Sequence, residues 1–225
     1  MANALTLVIG SKNYSSWSWR PWLALKRTGA PFEEIRIHLD DPNKVALIGA
    51  HSPTGKVPVL EHGPVKVWES LAICEYLAEQ FPKAKLWPED RPARAHARAV
   101  ATEMHAGFGS LRATLSMNIH GRSTRPRDQS NLPPEVWADI ERIVALWDDC
   151  RRRFGQNGPF LFGEFSIADA MYAPVVSRFR TYRVPLPPGA QAYCDAIWAW
   201  PAAREWAIAA QDEPRIPRYD ALLAA

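Results

Sequence analysis

The segment KVPVLEHGPVKVWESLAICEYL, residues 56–77, places the tightest limit on the fold of this chain. Two short apolar runs, 57–60 and 65–68, flank the residues EHGP, and this arrangement predicts two strands joined by a hairpin turn. From Ser70 to residue 81, apolar side chains recur every three or four residues, which predicts a helix. Because the helix follows the hairpin directly, the segment predicts a small sheet covered by a helix.

The residues before this segment add a strand, a helix and a second strand. Leu5–Ile9 is an apolar run that predicts a buried strand, and a polar turn follows at 10–14. We expect Pro21 to start a helix that Gly29 ends. Residues 31–39 alternate apolar and charged side chains and predict a second strand, while 40–55 has the composition of a loop. The order is β-α-β-loop-β-β-α, with a right-handed crossover between the first two strands.

The pattern changes after the first eighty-odd residues. Residues 81–92 contain three prolines and many charges, and this composition predicts a linker. Helical periodicity then recurs at 91–116, 135–153, 166–179 and 190–200. Ser166 followed by Asp169 predicts a variant of the capping box. We therefore expect an α/β domain at 1–83 and an all-helical domain at 91–225.

Composition argues against several classes of function. The net charge of +3 without a basic stripe gives no reason to expect a nucleic-acid partner. No apolar run reaches the roughly 18 residues of a membrane-spanning helix. The three cysteines, Cys74, Cys150 and Cys194, are odd in number and widely spaced, so we expect neither a disulfide framework nor a zinc site. The histidines also lack metal-ligand spacing. We expect a cytoplasmic protein without a metal.

Serine hydroxyls precede the first predicted helix, in SSWSWRPW. Ser15 and Ser16 lie where unpaired backbone N–H groups and the helix dipole favour an anion. If the anion is a thiolate, the same field lowers the pKa of its thiol, and a serine O–H can donate to the sulfur. A plain N-cap is the alternative interpretation of this pair.

Two further positions suit an extended peptide ligand. A proline that begins a strand suggests a cis bond between Val57 and Pro58, which would turn the Val57 backbone outward for pairing; an ordinary edge-strand proline is the alternative. Glu69 and Ser70 lie at the start of the helix of the opening segment, where Glu69 could receive a ligand's ammonium group and the helix end its carboxylate. Simple capping by Ser70 would explain that residue equally well.

Taken in order, these features resemble the soluble glutathione transferases, and the resemblance covers essentially the whole chain. The most specific segments are KVPVLEHGPVKVWESLAICEYLAEQFP and FLFGEFSIADAMYAPV. The opening SSWSWR is similar to the SSCSWR of the zeta class, so the chain resembles a serine-type bacterial member. The resemblance implies a thioredoxin-like α/β N-terminal domain plus an all-α C-terminal domain, glutathione as co-substrate, a homodimer and a role in detoxification.

The resemblance also implies roles for individual residues. Ser15 would support the thiolate, with Ser16 beside it, and Trp17 stands where the zeta motif has cysteine. That departure makes maleylacetoacetate isomerase activity doubtful, and the indole would instead wall the glutathione pocket or pack on the second domain. The remaining glutathione contacts would be Val57 with Pro58 cis at the cysteinyl unit, Glu69 and Ser70 at the γ-glutamyl end, and Asn43 or Lys44 at the glycine end.

The second substrate is expected between the domains, against the first long helix of the helical domain. Met104 and Phe108 share a predicted helical face with Leu111 and Leu115, and His105 and Arg112 flank it. A core stripe with solvated flanks is the alternative. The expected reaction conjugates the glutathione thiolate to a small hydrophobic electrophile. A glutathione-dependent isomerase or dehalogenase, and a non-catalytic partner-binding module, remain as alternatives.

Overall fold

In the computed structural model, which describes residues 4–224, the chain opens with a four-stranded mixed sheet. The strands are β1 (Leu5–Ile9), β2 (Phe32–Arg36), β3 (Val59–His62) and β4 (Val65–Trp68). Their order is β2-β1-β3-β4, with β1 parallel to β2 and antiparallel to β3. The parallel pair requires a crossover, which α1 (Ser16–Thr28) supplies.

Each face of the sheet is covered. On one face α1 packs beside α3 (Ser70–Gln80), and the core there includes Leu7, Trp19 and Ile73, none of which is exposed to solvent. On the other face Val8 and Val59 form a smaller apolar cluster with Ile48 of α2 (Lys44–Gly49). The alternation of side chains along β1 therefore buries both faces of the strand.

The remaining described chain is helical. Its helices are α4 (Arg91–Ala106), α5 (Gly109–Thr114), α6 (Pro134–Phe154), α7 (Ile167–Tyr182), α8 (Pro188–Ala199), α9 (Pro201–Ala209) and α10 (Pro217–Asp220). Helix α7 is buried along nearly its whole length and contacts α1, α4 and α8. The predicted architecture, a thioredoxin-like α/β domain plus an all-α domain, is confirmed.

The start of α7 is fixed by a buried carboxylate. Asp169 is completely buried, and its Oδ2 accepts the N–H and the O–H of Ser166, both at 2.9 Å. Its Oδ1 accepts the N–H of Leu161 at 3.0 Å and the hydroxyl of Tyr193 at 3.1 Å. The predicted cap by Ser166 and Asp169 is confirmed, and the same carboxylate also ties down the preceding loop and α8.

The sequence predicted that Pro21 starts α1, but Pro21 is the sixth residue of that helix. The helix begins earlier because Ser15 caps it, accepting the N–H of Ser18 with its side chain. The alternative interpretation, in which Ser70 caps α3, was also wrong. Ser70 is the first helical residue, and the N-cap position is held by Glu69, whose φ of 70° lies in the left-handed region.

Three predicted segments differ in the structure. The predicted loop at 40–55 contains α2, whose six residues are too few to show periodicity. The predicted single helix at 91–116 is broken between α4 and α5, where Phe108 has a φ of 57°. A Cβ on Gly107 would lie 2.8 Å from the carbonyl oxygen of Glu103, so glycine is required at this break. The hairpin turn is shorter than predicted, because β3 continues through His62.

Cys74, Cys150 and Cys194 are free and buried. Among residues 4–224, no helix combines the length and hydropathy needed to cross a membrane.

Candidate functional site

The N-terminus of α1 opens into a cavity of about 490 Å³ between the sheet domain and the helices. Ser15, Ser16 and Val57 line it from the first domain, and Arg112 and Arg178 line it from α5 and α7. The two serines are almost completely buried, with 6% and 7% of their surfaces exposed. The structure therefore brings the predicted thiolate and cysteinyl contacts to one cavity.

The two serine hydroxyls have different hydrogen-bond partners. Ser15 Oγ accepts the N–H of Ser18 at 3.4 Å and donates its proton to Ser18 Oγ at 2.8 Å. Ser18 Oγ in turn accepts the N–H of Gly10 at 3.0 Å. Ser16 Oγ accepts a hydrogen bond from Nη2 of Arg178 at 3.3 Å. Ser15 is thus engaged in capping, whereas the Ser16 proton is not used in a hydrogen bond within residues 4–224.

A smaller cavity of about 260 Å³ lies at the N-terminus of α3 and shares Trp17 and Val57 with the first. Pro58, Glu69 and Ser70 also line it, and the Val57–Pro58 bond is cis, as predicted. The Ser70 hydroxyl is buried and has no hydrogen-bond partner in the described chain. A buried hydroxyl without a partner at a helix N-terminus is suited to an anionic ligand group.

The two candidates for the glycine end differ in position. Lys44 lines the larger cavity, and its Nζ donates to the carbonyl oxygen of Leu39 at 2.8 Å. Asn43 is the N-cap residue of α2, its own N–H donates to Asp41 Oδ1 at 2.7 Å, and it lines neither cavity. Lys44 is therefore the better placed of the two.

Trp17 lies among cationic and titratable groups from both domains. The guanidinium carbon of Arg20 is 4.2 Å from the centre of its ring, that of Arg112 is 5.3 Å away, and the His105 ring meets it edge-on at 5.3 Å. Burial and then the charge of Arg20 lower the pKa of His105, although Glu69, 3.9 Å away, opposes this. The neutral form of the imidazole is therefore favoured.

The arginines at this site carry uncompensated charge. Burial, followed by repulsion from Arg178 and Arg112, lowers the pKa of Arg20 to about 9. Burial and then repulsion from Arg112 lower the pKa of Arg178 to about 10. No carboxylate in the described chain forms an ion pair with any of the three. The larger cavity is consequently electropositive, which suits an anion.

Other predicted substrate residues are placed differently. Met104 is fully buried in the core, and Phe108 is 8% exposed. Neither lines the two cavities, and Phe108 lies in the break between α4 and α5, outside the helix that carries Met104. Their predicted common helical face was therefore wrong, whereas Arg112 does reach the larger cavity. In the described residues, no cluster of three His, Cys, Asp or Glu side chains could hold a metal ion.

Sequence reasoning missed Arg178, which reaches Ser16 from α7. The available signal was an arginine within the otherwise apolar run APVVSRF. Buried arginine is rare, so such a residue suggests a specific partner. Because Arg178 and Ser16 are 162 positions apart in the sequence, spacing could not have predicted their contact.

Comparison with known proteins gives two family matches. Residues 14–80 match the model described as "Glutathione S-transferase, N-terminal domain". Residues 94–209 match "Glutathione S-transferase, C-terminal domain". The two matches together cover most of the chain.

Individual relatives agree with these matches. The Arabidopsis thaliana protein named glutathione S-transferase L1 is 26% identical over 72% of this chain and 62% of its own length. The chain spans between 47% and 62% of the length of that protein and the next two curated relatives. A zeta-class bacterial maleylpyruvate isomerase structure is 25% identical with a TM-score of 0.71, covering 93% of this chain and 100% of its own.

A further solved structure shares the fold. A Burkholderia glutathione transferase homolog with bound glutathione is 24% identical, with a TM-score of 0.69, and covers 94% of this chain and 100% of its own.

Proposed function

Because the chain belongs to the glutathione S-transferase family, we propose that it binds glutathione across the two adjoining cavities and transfers its thiolate to a small hydrophobic electrophile. The observation that carries this proposal is the shared position of Ser15, Ser16 and Val57 around one cavity at the N-terminus of α1. The bound glutathione in a solved structure of the same fold supports the choice of ligand.

Glutathione would extend from the smaller cavity into the larger. Its γ-glutamyl carboxylate meets the N-terminus of α3 and the unpaired hydroxyl of Ser70, while Glu69 receives its ammonium group. Its cysteinyl backbone pairs with Val57, whose N–H and C=O have no hydrogen bond within the described chain. Lys44 receives the glycine carboxylate.

In this position the sulfur lies at the start of α1, where the helix field and a serine O–H favour the thiolate. The serine stays protonated throughout and donates a hydrogen bond; the sulfur is the nucleophile. The thiol proton leaves to solvent. Losing a hydrogen bond to a charged group costs about 1.5–3 kcal/mol, so the correct Ser→Ala change should slow turnover about ten- to a hundredfold at neutral pH.

The electrophile would occupy the part of the larger cavity beside Trp17, Arg112 and Met117. Trp17 and Met117 supply apolar surface, and holding the electrophile there brings its reacting carbon to the sulfur. Arg112 favours an electrophile with an anionic substituent.

A glutathione-dependent isomerase or dehalogenase is the second candidate. The likeness to a maleylpyruvate isomerase and the electropositive cavity favour an isomerase. Trp17 in place of the zeta-class cysteine argues against it. Stoichiometry separates the candidates, because an isomerase returns glutathione unchanged and a transferase consumes it. A non-catalytic partner-binding module would not need the glutathione contacts and is tested by the absence of binding.

We also propose a cytoplasmic homodimer that detoxifies electrophiles. Val65 and Trp68 on the edge strand β4 are 40% and 42% exposed and offer apolar surface to a second copy. The buried free thiols suit a reducing compartment. Light scattering at micromolar concentration measures the assembly, and a monomer would contradict this part of the proposal.

The first experiment is calorimetric titration with glutathione of the wild type, Ser15→Ala and Ser16→Ala, with thiolate absorbance followed in the ultraviolet. Binding with a thiolate signal that one variant loses would identify the activating serine. Binding without a thiolate signal in the wild type would indicate a carrier. No binding would refute the proposed enzyme and leave the partner-binding module.

A further inference from the structure

Arg178 crosses from the helical domain to the start of α1. It lies on α7, and its Nη2 donates to Ser16 Oγ at 3.3 Å. Only 4% of its surface is exposed, yet its Nε and Nη1 have no hydrogen-bond partner in the described chain. The side chain also lines the larger cavity. The buried Nε and Nη1 groups of the Arg178 guanidinium are therefore available to donate to a ligand in the larger cavity.

The lysine and arginine side chains that line this cavity are positively charged, and no Asp or Glu of the described chain lines it. These residues are Lys44 from α2, Lys56 from the loop before β3, Arg112 from α5, Arg178 from α7 and Arg218 from α10; the titratable Tyr14 and Tyr219 also face it. Arg218 is paired with Asp40 at 3.1 Å and Lys44 with a backbone carbonyl. Arg178 has no such partner, and a buried charge without one is strongly unfavourable. A bound anion would compensate it.

The hydrogen bonds around the two serines indicate where that anion lies. Ser15 donates its only proton to Ser18. Ser16 uses an oxygen lone pair to accept from Arg178, so its proton is left to donate elsewhere. Its hydroxyl lines the cavity, and a sulfur that accepts this proton would lie within reach of the Arg178 guanidinium.

We propose that Arg178 is a positioning residue for glutathione activation: it holds Ser16 as an acceptor so that the Ser16 hydroxyl donates to the glutathione sulfur, and its charge stabilises the thiolate. This inference rests on the proposed function and assigns the activating hydroxyl to Ser16, with Ser15 as the cap that fixes the helix start. Arg178 is already protonated and takes no proton; the thiol proton goes to solvent.

The expected size of the effect follows from placing the sulfur beside Ser16 Oγ, which lies 3.3 Å from Nη2 of Arg178. A cation within about 4–6 Å lowers the pKa of an acidic group by roughly 1–3 units. Arg178→Met should therefore raise the thiol pKa of bound glutathione by at least about one unit. Arg178→Lys should restore most of the shift because it keeps the charge, although it loses the planar fork.

The test is a pH titration of thiolate absorbance on glutathione-saturated protein. Arg180→Met is the matched control, since it removes the same charge from the same helix at a residue that packs on Trp198, 4.3 Å away, outside the cavity. We expect a raised thiol pKa for Arg178→Met and no change for Arg180→Met. Ser16→Ala should raise it too, and the double variant Ser16→Ala with Arg178→Met should show less than the sum of the two shifts.

Several results would overturn the proposal. An unchanged thiol pKa in Arg178→Met, with a raised KM for the electrophile alone, would make Arg178 an electrophile-binding residue. Strict additivity with Ser16→Ala would remove the link between the two residues. If Arg178→Met does not fold, Arg178→Gln provides the neutral variant, and its comparison with Arg178→Lys decides the same question.

Failure of the proposed function has a different signature. If the wild type does not bind glutathione in calorimetry, the proposed function is refuted before any variant is compared. A wild type that binds it as thiolate, with an Arg178 variant that behaves identically, refutes only the role of Arg178.

Discussion

Ser70→Ala should have opposite effects on the stability of the free protein and on glutathione binding. Only 1% of the surface of Ser70 is exposed, and its hydroxyl has no hydrogen-bond partner in the described chain. A buried polar group left unpaired destabilises a fold by about 1–3 kcal/mol. Replacing it with alanine removes that group without opening a large cavity, so the free protein should become more stable.

For a chain of this size, each kcal/mol shifts the midpoint of thermal unfolding by roughly 2–4 °C. We therefore expect Ser70→Ala to unfold about 2–12 °C higher than the wild type without ligand. In the proposed complex the hydroxyl donates to the γ-glutamyl carboxylate, and the loss of such a charged hydrogen bond is about 1.5–3 kcal/mol. The Kd for glutathione should accordingly rise about ten- to a hundredfold.

Scanning calorimetry measures the stability, and titration calorimetry measures the Kd. Ser52→Ala is the matched control: Ser52 is also buried, but its Oγ accepts the N–H of Thr54 at 3.3 Å and of Lys56 at 3.1 Å. This control should lose about 1 kcal/mol of stability. A less stable free Ser70→Ala would show that the hydroxyl is already satisfied, and an unchanged Kd would remove Ser70 from the glutathione site.

Three further predictions concern the framework of the site. Burial raises the pKa of Asp169 to about 6, so the folded state binds more protons than the unfolded state between about pH 4 and 6. Protonation of Asp169 therefore contributes to the stability of the folded state below pH 4, and this contribution is lost as the pH rises to 6. Asp169→Asn should therefore gain stability relative to the wild type over that range in urea unfolding, although its amide disturbs the four accepted bonds, and a pH-independent difference would contradict the assignment. Gly107→Ala should destabilise by about 1–3 kcal/mol because of the contact with Glu103, whereas Gly109→Ala, with nothing within 4 Å, should be neutral or slightly stabilising; equal effects in thermal unfolding would refute the steric argument. Glu213→Ala should speed amide hydrogen exchange at residues 12 and 13, whose N–H groups its carboxylate accepts at 2.7 and 2.8 Å; unchanged exchange would show that the contact does not order the loop.

Local patterns predicted the elements that carry strong signals. Strand β4 has the bounds that were expected, and α6 lies within one residue of its predicted limits, because apolar periodicity persists over its 21 residues. The start of α1 was mispredicted because Pro21 is a strong local signal, while the Ser15 cap and the burial of Trp19 favour an earlier start. Tertiary packing outweighed propensity there.

The candidate site was predictable where its residues are local in sequence and unpredictable where they are not. Motifs placed Ser15, Ser16 and Val57 at one cavity, since each lies at the end of a strand or helix of the same domain. The contact between Arg178 and Ser16 joins residues 162 positions apart and depends on how α7 packs on α1. Sequence patterns carry no information on such a packing geometry.

The clasp made by Glu213 has a consequence for the order in which the site is assembled during protein synthesis. The carboxylate holds the loop before α1 from 200 and 201 residues away, and Tyr219 stacks on Tyr14 with ring centres 4.9 Å apart. Domains can begin to fold on the ribosome as they emerge. The serine-bearing loop, although among the earliest residues translated, cannot adopt its final form until residue 213 has left the exit tunnel. A nascent chain stalled before that point should therefore contain a folded sheet domain that does not yet retain glutathione.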